Sequence, residues 1–141
     1  MKIKIKYLAD IDHIQKISKG DWIDLRTAKD IHMAKGEYCM IPLGVAIQLP
    51  SGYEALVAPR SSTFKNYNII LANSLGIIDE SYCGDEDEWK FLAYAVKGTD
   101  IPKNTRICQF RIIEHQPEVE IEEVEFLGND NRGGIGSTGK E

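Results

Sequence analysis

Short stretches in which apolar and polar residues alternate dominate this chain, and runs at helical spacing are scarce. Ile3, Ile5 and Tyr7 alternate with lysines, which predicts a first strand with one face in water. Gly44–Leu49 predicts a second strand, and Pro50-Ser51-Gly52 turns it into a third over Tyr53–Ala58. Further strands are expected at Ile69–Leu71, Trp89–Val96, Arg106–Ile113 and Glu118–Phe126. Within Arg106–Ile113, Cys108, Phe110 and Ile112 fall on one face, with Gln109 and Arg111 on the other. Only Ser61–Tyr67 and His13–Lys19 have room for a helical turn or two. Many short strands between Gly/Pro turns predict an all-β sandwich or barrel-like domain, with no linker and no internal repeat.

At 141 residues the chain suits one domain with a real core. No apolar run approaches the length of a membrane span, and the alternating start does not form an apolar signal core, so a cytoplasmic protein is expected. Cys39, Cys83 and Cys108 are widely spaced, which predicts reduced thiols and no zinc site. The net charge of -5 speaks against nonspecific nucleic-acid binding, which needs cations to neutralise phosphates. A small polyphosphate remains compatible, with arginines and a divalent metal supplying local positive charge.

Three loop regions carry candidate chemistry. Arg132-Gly133-Gly134-Ile135-Gly136-Ser137-Thr138-Gly139 is dense in glycine, so its backbone N–H groups can converge on an anion beside an arginine and two hydroxyls. In isolation such a stretch reads first as a flexible tail. Ala58-Pro59-Arg60-Ser61-Ser62 leaves a strand at a proline; it serves either as an anion-binding turn or as a helix cap, and the two are compatible. In the stretch from Asn73 to Gly84, the Ile77-Ile78 pair leads into Asp79 and places a carboxylate at the end of a buried strand. Such a group can deprotonate a water near a metal-polarised phosphate. Tyr82 offers a ring to stack on a sugar, and Asn73 offers a donor and an acceptor for a base edge. The plainer reading of Asp79-Glu80-Ser81 is a turn. The run Asp85–Glu88 reads as a solvated loop, and His13, His32 and His115 as surface or core-edge residues.

Taken in order, these blocks resemble the trimeric dUTP diphosphatases (dUTPases), whose five motifs span nearly the whole chain. Asp24-Leu25-Arg26-Thr27-Ala28 matches the first, Ala58–Ser62 the second, Gly76–Gly84 the third with Asn73 just upstream, Arg106–Phe110 the fourth, and the glycine-rich stretch the fifth. The resemblance implies a homotrimer of distorted jelly-roll (β-clip) subunits, with a β domain over 1–126 and an arm over 127–141 that closes on a neighbour's site. It implies Mg²⁺-assisted hydrolysis of dUTP to dUMP and pyrophosphate, which keeps uracil out of DNA and supplies dUMP for thymidylate synthesis. Asp79 is then the general base. Ser61 meets the bridging oxygen that leaves, and Arg60, Ser62 and Gln109 hold phosphate oxygens. Asn73, with the backbone around Gly76 and Ile78, reads uracil, and Tyr82 packs under the deoxyribose. Asp24 holds Mg²⁺ through water. Arg132, Gly136, Ser137 and Thr138 close on the phosphates. Ile135 stands where the family carries an aromatic lid residue, with Trp22, Trp89 and Phe91 as candidate replacements, and Arg132 lies two residues nearer the glycines than is usual.

A dCTP deaminase shares the fold and an Arg-Ser-Ser segment, but would need a glutamate placed for amine removal and normally lacks the glycine arm. A regulatory binding protein, with the nucleotide site as a switch and an acidic surface for a partner, is the alternative from another class. It applies if the chain is phage-encoded.

Overall fold

The computed structural model describes residues 1–136 and 139. Among these, eleven strands and one short helix are present, and no helix is long and apolar enough to cross a membrane. Strand β1 (Lys4–Tyr7) pairs antiparallel with β5 (Val45–Gln48), and β3 (Ile31–Met33) with β10 (Thr99–Ile101). A four-stranded sheet runs in the order β2 (Ile23–Arg26), β11 (Arg106–Glu114), β6 (Tyr53–Pro59), β8 (Gly76–Ile78). A three-stranded sheet places β9 (Lys90–Ala95) between β4 (Tyr38–Pro42) and β7 (Ile69–Leu71). Helix α1 (Thr63–Tyr67) is the turn expected after Ser61.

Alternation fixes which faces turn inward. On β11, Cys108 and Phe110 are buried while Arg111 is exposed, as expected, and a bulge between Arg106 and Cys108 buries Ile107 as well. Trp89 and Phe110 meet edge to face at 5.2 Å in the middle of the core, with Leu25, Val45, Val57 and Phe91 around them. Truncating such a fully buried aromatic leaves a cavity that packed neighbours fill only in part. Phe110→Ala is therefore expected to lower stability by about 3–5 kcal/mol in denaturant titration. Gly44, just before β5, takes φ +69°, and a Cβ there would lie 2.9 Å from Ile11 Cδ1 and 3.2 Å from Ala9 Cβ. Only glycine fits that approach.

Two expectations fail. His13–Lys19 is not helical. The Tyr7 ring stacks on His13 at 4.1 Å and its hydroxyl accepts from Ile14 N at 2.7 Å, so side-chain contacts hold this segment in an irregular path. Glu118–Phe126 forms no strand, because no strand edge of its own chain lies alongside to supply backbone partners. Strands β2, β3, β4 and β10 were not anticipated. The run Asp85–Glu88 is also only partly solvated: Glu88 Oε2 accepts from Gly44 N at 2.9 Å and Asp87 Oδ2 from Gly84 N at 2.8 Å.

Candidate active site

Strand register gathers the first group of side chains. Gln109 on β11 is level with Asp24 on β2 and with Ala58 on β6, so the chain leaves β6 at Arg60 beside both. Arg60 Nε lies 3.1 Å from Asp24 Oδ1, and an Arg106 guanidinium nitrogen 3.5 Å from Asp24 Oδ2. Arg60 also donates to the Arg106 carbonyl at 3.2 Å. Gln109 Nε2 donates to Pro59 O at 3.0 Å, which orients its amide. Beneath them the buried Thr63 hydroxyl accepts from Arg60 N at 2.9 Å and donates to Ile107 O at 2.8 Å. That hydroxyl stitches the turn to β11. Ser62 occupies the helix N-cap position without a side-chain cap bond, so its hydroxyl and that of exposed Ser61 are not consumed by the helix. Two arginines against one carboxylate leave this cradle net positive, which suits phosphate oxygens. Neither Thr63 nor Arg106 stands out in the sequence, although Arg106 opens the fourth motif and Thr63 follows the second directly.

Cys108 forms part of the floor. Burial pushes its thiol well above the usual range, with Asp24 adding to the rise and Arg60 opposing it.

The second group lies elsewhere. β7 bonds to β9 and β8 bonds to β6, so residues 72–75 carry the chain from one sheet to the other. Exposed Asn73 sits in that turn, where Ser74 takes φ +62°. Gly76 packs against β6 so closely that a Cβ would meet Val57 Cβ at 3.0 Å. β8 ends at Ile78, delivering Asp79 from a strand end as expected. That strand is not buried, however, since Ile77 is 63% exposed on the outer face.

Asp79 Oδ2 accepts from both Ser81 N (2.8 Å) and the Ser81 hydroxyl. These bonds, the hydroxyl's first, hold the Asp79 carboxyl below its ordinary pKa, and His115 contributes weakly in the same direction. Asp79 is thus ionised at neutral pH. Tyr82 N donates to Asp79 O at 3.0 Å and the Tyr82 hydroxyl donates to Glu88 O at 2.9 Å, fixing the ring beside Asp79. Met40, Ile77, Leu92 and Lys90 complete the cleft around Asp79 and Tyr82.

The two groups do not meet within one chain. Ile78 is level with Ala55, which puts Asp79 near Glu54, six residues before Arg60 on β6. At ~3.4 Å per residue that separation is on the order of 20 Å. Of the candidate lid aromatics, Trp89 and Phe91 are fully buried and cannot cover a base, while Trp22 lies under the Arg111 guanidinium at 5.5 Å. Arg132, Ile135 and Gly136 are exposed, the last two in a turn; Ser137 and Thr138 lie outside the described residues. No cluster of three or more His, Cys, Asp or Glu suited to a metal occurs among the described residues.

The family model described as dUTPase matches residues 12–139. The chain belongs to the dUTPase family. Among curated dUTPase relatives, the SPbeta prophage-derived deoxyuridine 5'-triphosphate nucleotidohydrolase YosS of Bacillus subtilis is 57% identical over 140 residues, covering 99% of each chain. The deoxyuridine 5'-triphosphate nucleotidohydrolase of Gloeothece citriformis is 32% identical, covering 99% of this chain and 97% of its own. The dUTPase fold is shared with the Staphylococcus bacteriophage 80alpha dUTPase at TM-score 0.78 and 19% identity, covering 91% and 99% of the two chains. A phage phi11 dUTPase mutant of S. aureus, described with a structural Mg(II) ion, matches at TM-score 0.78 and 16% identity, covering 90% and 99%.

Proposed function

We propose that this chain hydrolyses dUTP to dUMP and pyrophosphate, with water attacking the α-phosphorus. The reading is carried by one observation beyond family membership: an ionised, Ser81-held Asp79 stands at one end of β6 and a guanidinium-lined cradle at the other. A base must come within hydrogen-bond reach of the water it deprotonates. The separation supports a site shared between copies, and in the homotrimer that the family resemblance implies, Asp79 of one copy faces the cradle of another, with the glycine arm of a neighbour closing over both.

In that site Asp79 takes a proton from water as the oxygen bonds to the α-phosphorus. The bond to the bridging oxygen breaks, and pyrophosphate leaves beside Ser61. Arg60, Ser62 and Gln109 hold the phosphate oxygens, and Tyr82 packs under the deoxyribose and leaves no room for a 2′-hydroxyl. Asn73 with the backbone at Gly76 and Ile78 reads uracil, and groups left unpaired by cytosine reject it. Arg132, Ile135, Gly136, Ser137 and Thr138 belong to the closing arm.

The donor set fits Mg²⁺ held mainly by the substrate. Both Asp24 oxygens already face guanidinium groups, so Asp24 is suited to contact the ion through water, as Mg²⁺ sites commonly do. Bound there, the ion would neutralise charge developing on the triphosphate.

The test is a panel of deoxynucleoside triphosphates with Mg²⁺, scored for pyrophosphate. Turnover of dUTP alone is expected; equal turnover of dTTP, or ammonia release from dCTP, would refute the reading. A second expectation concerns pH. Because the Ser81 hydroxyl lowers the Asp79 pKa, Asp79 stays ionised to lower pH than an ordinary carboxylate and loses activity as pH falls through that lowered value. Ser81→Ala removes the leading cause, so the acid limb of the kcat profile should move to higher pH. An unmoved limb would exclude Asp79 as the group that titrates.

A second reading, nucleotide-sensitive binding of a regulatory protein, draws on the prophage-derived relative and on the 80alpha dUTPase. The latter is described as controlling transfer of virulence genes by a proto-oncogenic G protein-like mechanism. Pull-down with and without a nonhydrolysable dUTP analogue tests it, and a partner set indifferent to the analogue counts against it.

A further inference from the structure

We propose that Glu80 and His115 are positioning residues that aim Asp79, by latching its turn to the turn between β5 and β6 and to the end of β11. The inference rests on the activity proposed above and adds to it what fixes the direction of the base.

Asp79 stands where the sheet gives least support. β8 is three residues long and lies at the edge of its sheet, bonded to β6 on one side only. The ladder stops at the level of Ile78 and Ala55, so Asp79 begins a turn that the strand no longer guides. Ser81 N and Tyr82 N both bond back to Asp79, which shapes the turn internally but leaves it free to swing as a unit. A short edge strand followed by a solvated turn is a place where local opening starts. Among the described residues, two side-chain hydrogen bonds tie residues 79–82 to other parts of the chain. One runs from the Tyr82 hydroxyl to Glu88 O. The other reaches the opposite way, where Glu80 Oε1 accepts from Gly52 N at 3.2 Å.

Glu80 thereby continues the sheet past the end of its strand. Gly52, at φ +87° just before β6, gives its N–H to Glu80, and its carbonyl accepts from His115 N at 2.9 Å. His115 follows β11 directly, and its Nε2 lies 3.6 Å from Glu80 Oε2. One carboxylate thus spans the order β8, β6, β11 beyond the last paired residues of β8. His115 is also the one basic side chain lining a cleft that holds Asp79, Glu54 and Glu118, so its imidazolium form offsets like charges gathered around the turn.

The His115 and Glu80 side chains are 37% and 33% exposed, and a pair so open to water adds little to global stability. Direction is another matter, because displacing a reacting group by about 1 Å can cost about a hundredfold in rate. The latch should therefore show in turnover and hardly in melting.

Glu80→Ala is expected to lower kcat about tenfold, with KM within about twofold and the melting temperature little changed. Glu80→Gln keeps an oxygen for Gly52 N and should recover most of the loss. His115→Ala should lower kcat in the same sense. Combining it with Glu80→Ala should cost no more than Glu80→Ala alone, as for two members of one unit. Amide exchange of Ser81 and Tyr82 gives a readout that needs no substrate, and Glu80→Ala should speed it about tenfold. Unchanged exchange, a rise in KM in place of the fall in kcat, no recovery by Glu80→Gln, or additive losses in the double variant would each overturn the proposal. A wild-type chain inert toward dUTP refutes the activity instead, and faster exchange in Glu80→Ala then still supports the latch.

Discussion

Asp79→Asn is expected to cut dUTP turnover by about a thousandfold while leaving dUTP binding nearly intact. The amide keeps the shape of the carboxylate and can still accept from Ser81 N, so the turn that carries it should hold. It cannot take a proton from water. Mutating a group that acts mainly in the transition state lowers kcat without raising the substrate dissociation constant. Pyrophosphate release paired with titration calorimetry separates the two quantities. Retained turnover would remove Asp79 from the mechanism, and lost binding would make it a substrate contact instead.

Recovery of activity on mixing two crippled chains is the other large effect. Arg60→Ala removes a donor from the phosphate cradle and should lower kcat by about a hundredfold or more. Asp79 lies beside Glu54, six residues along the chain from Arg60, so a site shared between copies draws Asp79 and Arg60 from different chains. Unfolding, mixing and refolding the two variants together should then regenerate intact sites. Equal amounts of the two chains give about a quarter of the sites an unaltered Asp79 and an unaltered Arg60. If both residues served one site within one chain, no mixture would exceed its components.

What could be read from the sequence divides along physical lines. The Asp79 and Arg60 blocks were legible because each is a contiguous stretch at a strand end, where residue type and turn chemistry speak directly; Gln109, inside β11, has its role only through the family resemblance. The pairing of Asp24 with Arg60 and Arg106 was not, because it depends on β2 and β6 both lying beside β11. The long, evenly alternating strands were found. β3 and β10, three residues each, are too short for alternation to stand out. Ile77 misled for a related reason: two adjacent isoleucines suggest burial on both faces, yet one belongs to the outer face of the sheet. Glu118–Phe126 has the pattern of a strand, but pattern cannot supply the edge it must pair with.

Cys108 gives this fold a built-in clock. Its thiol sits under the phosphate cradle with no exposed surface, whereas Cys83 is open to solvent. An alkylating reagent should therefore consume Cys83 first, then half-buried Cys39, and reach Cys108 only when β11 detaches from β2 or β6. The slow phase of labelling counts those openings directly, with no denaturant. Its retardation by a bound nucleotide would measure how firmly the ligand locks the central strands together.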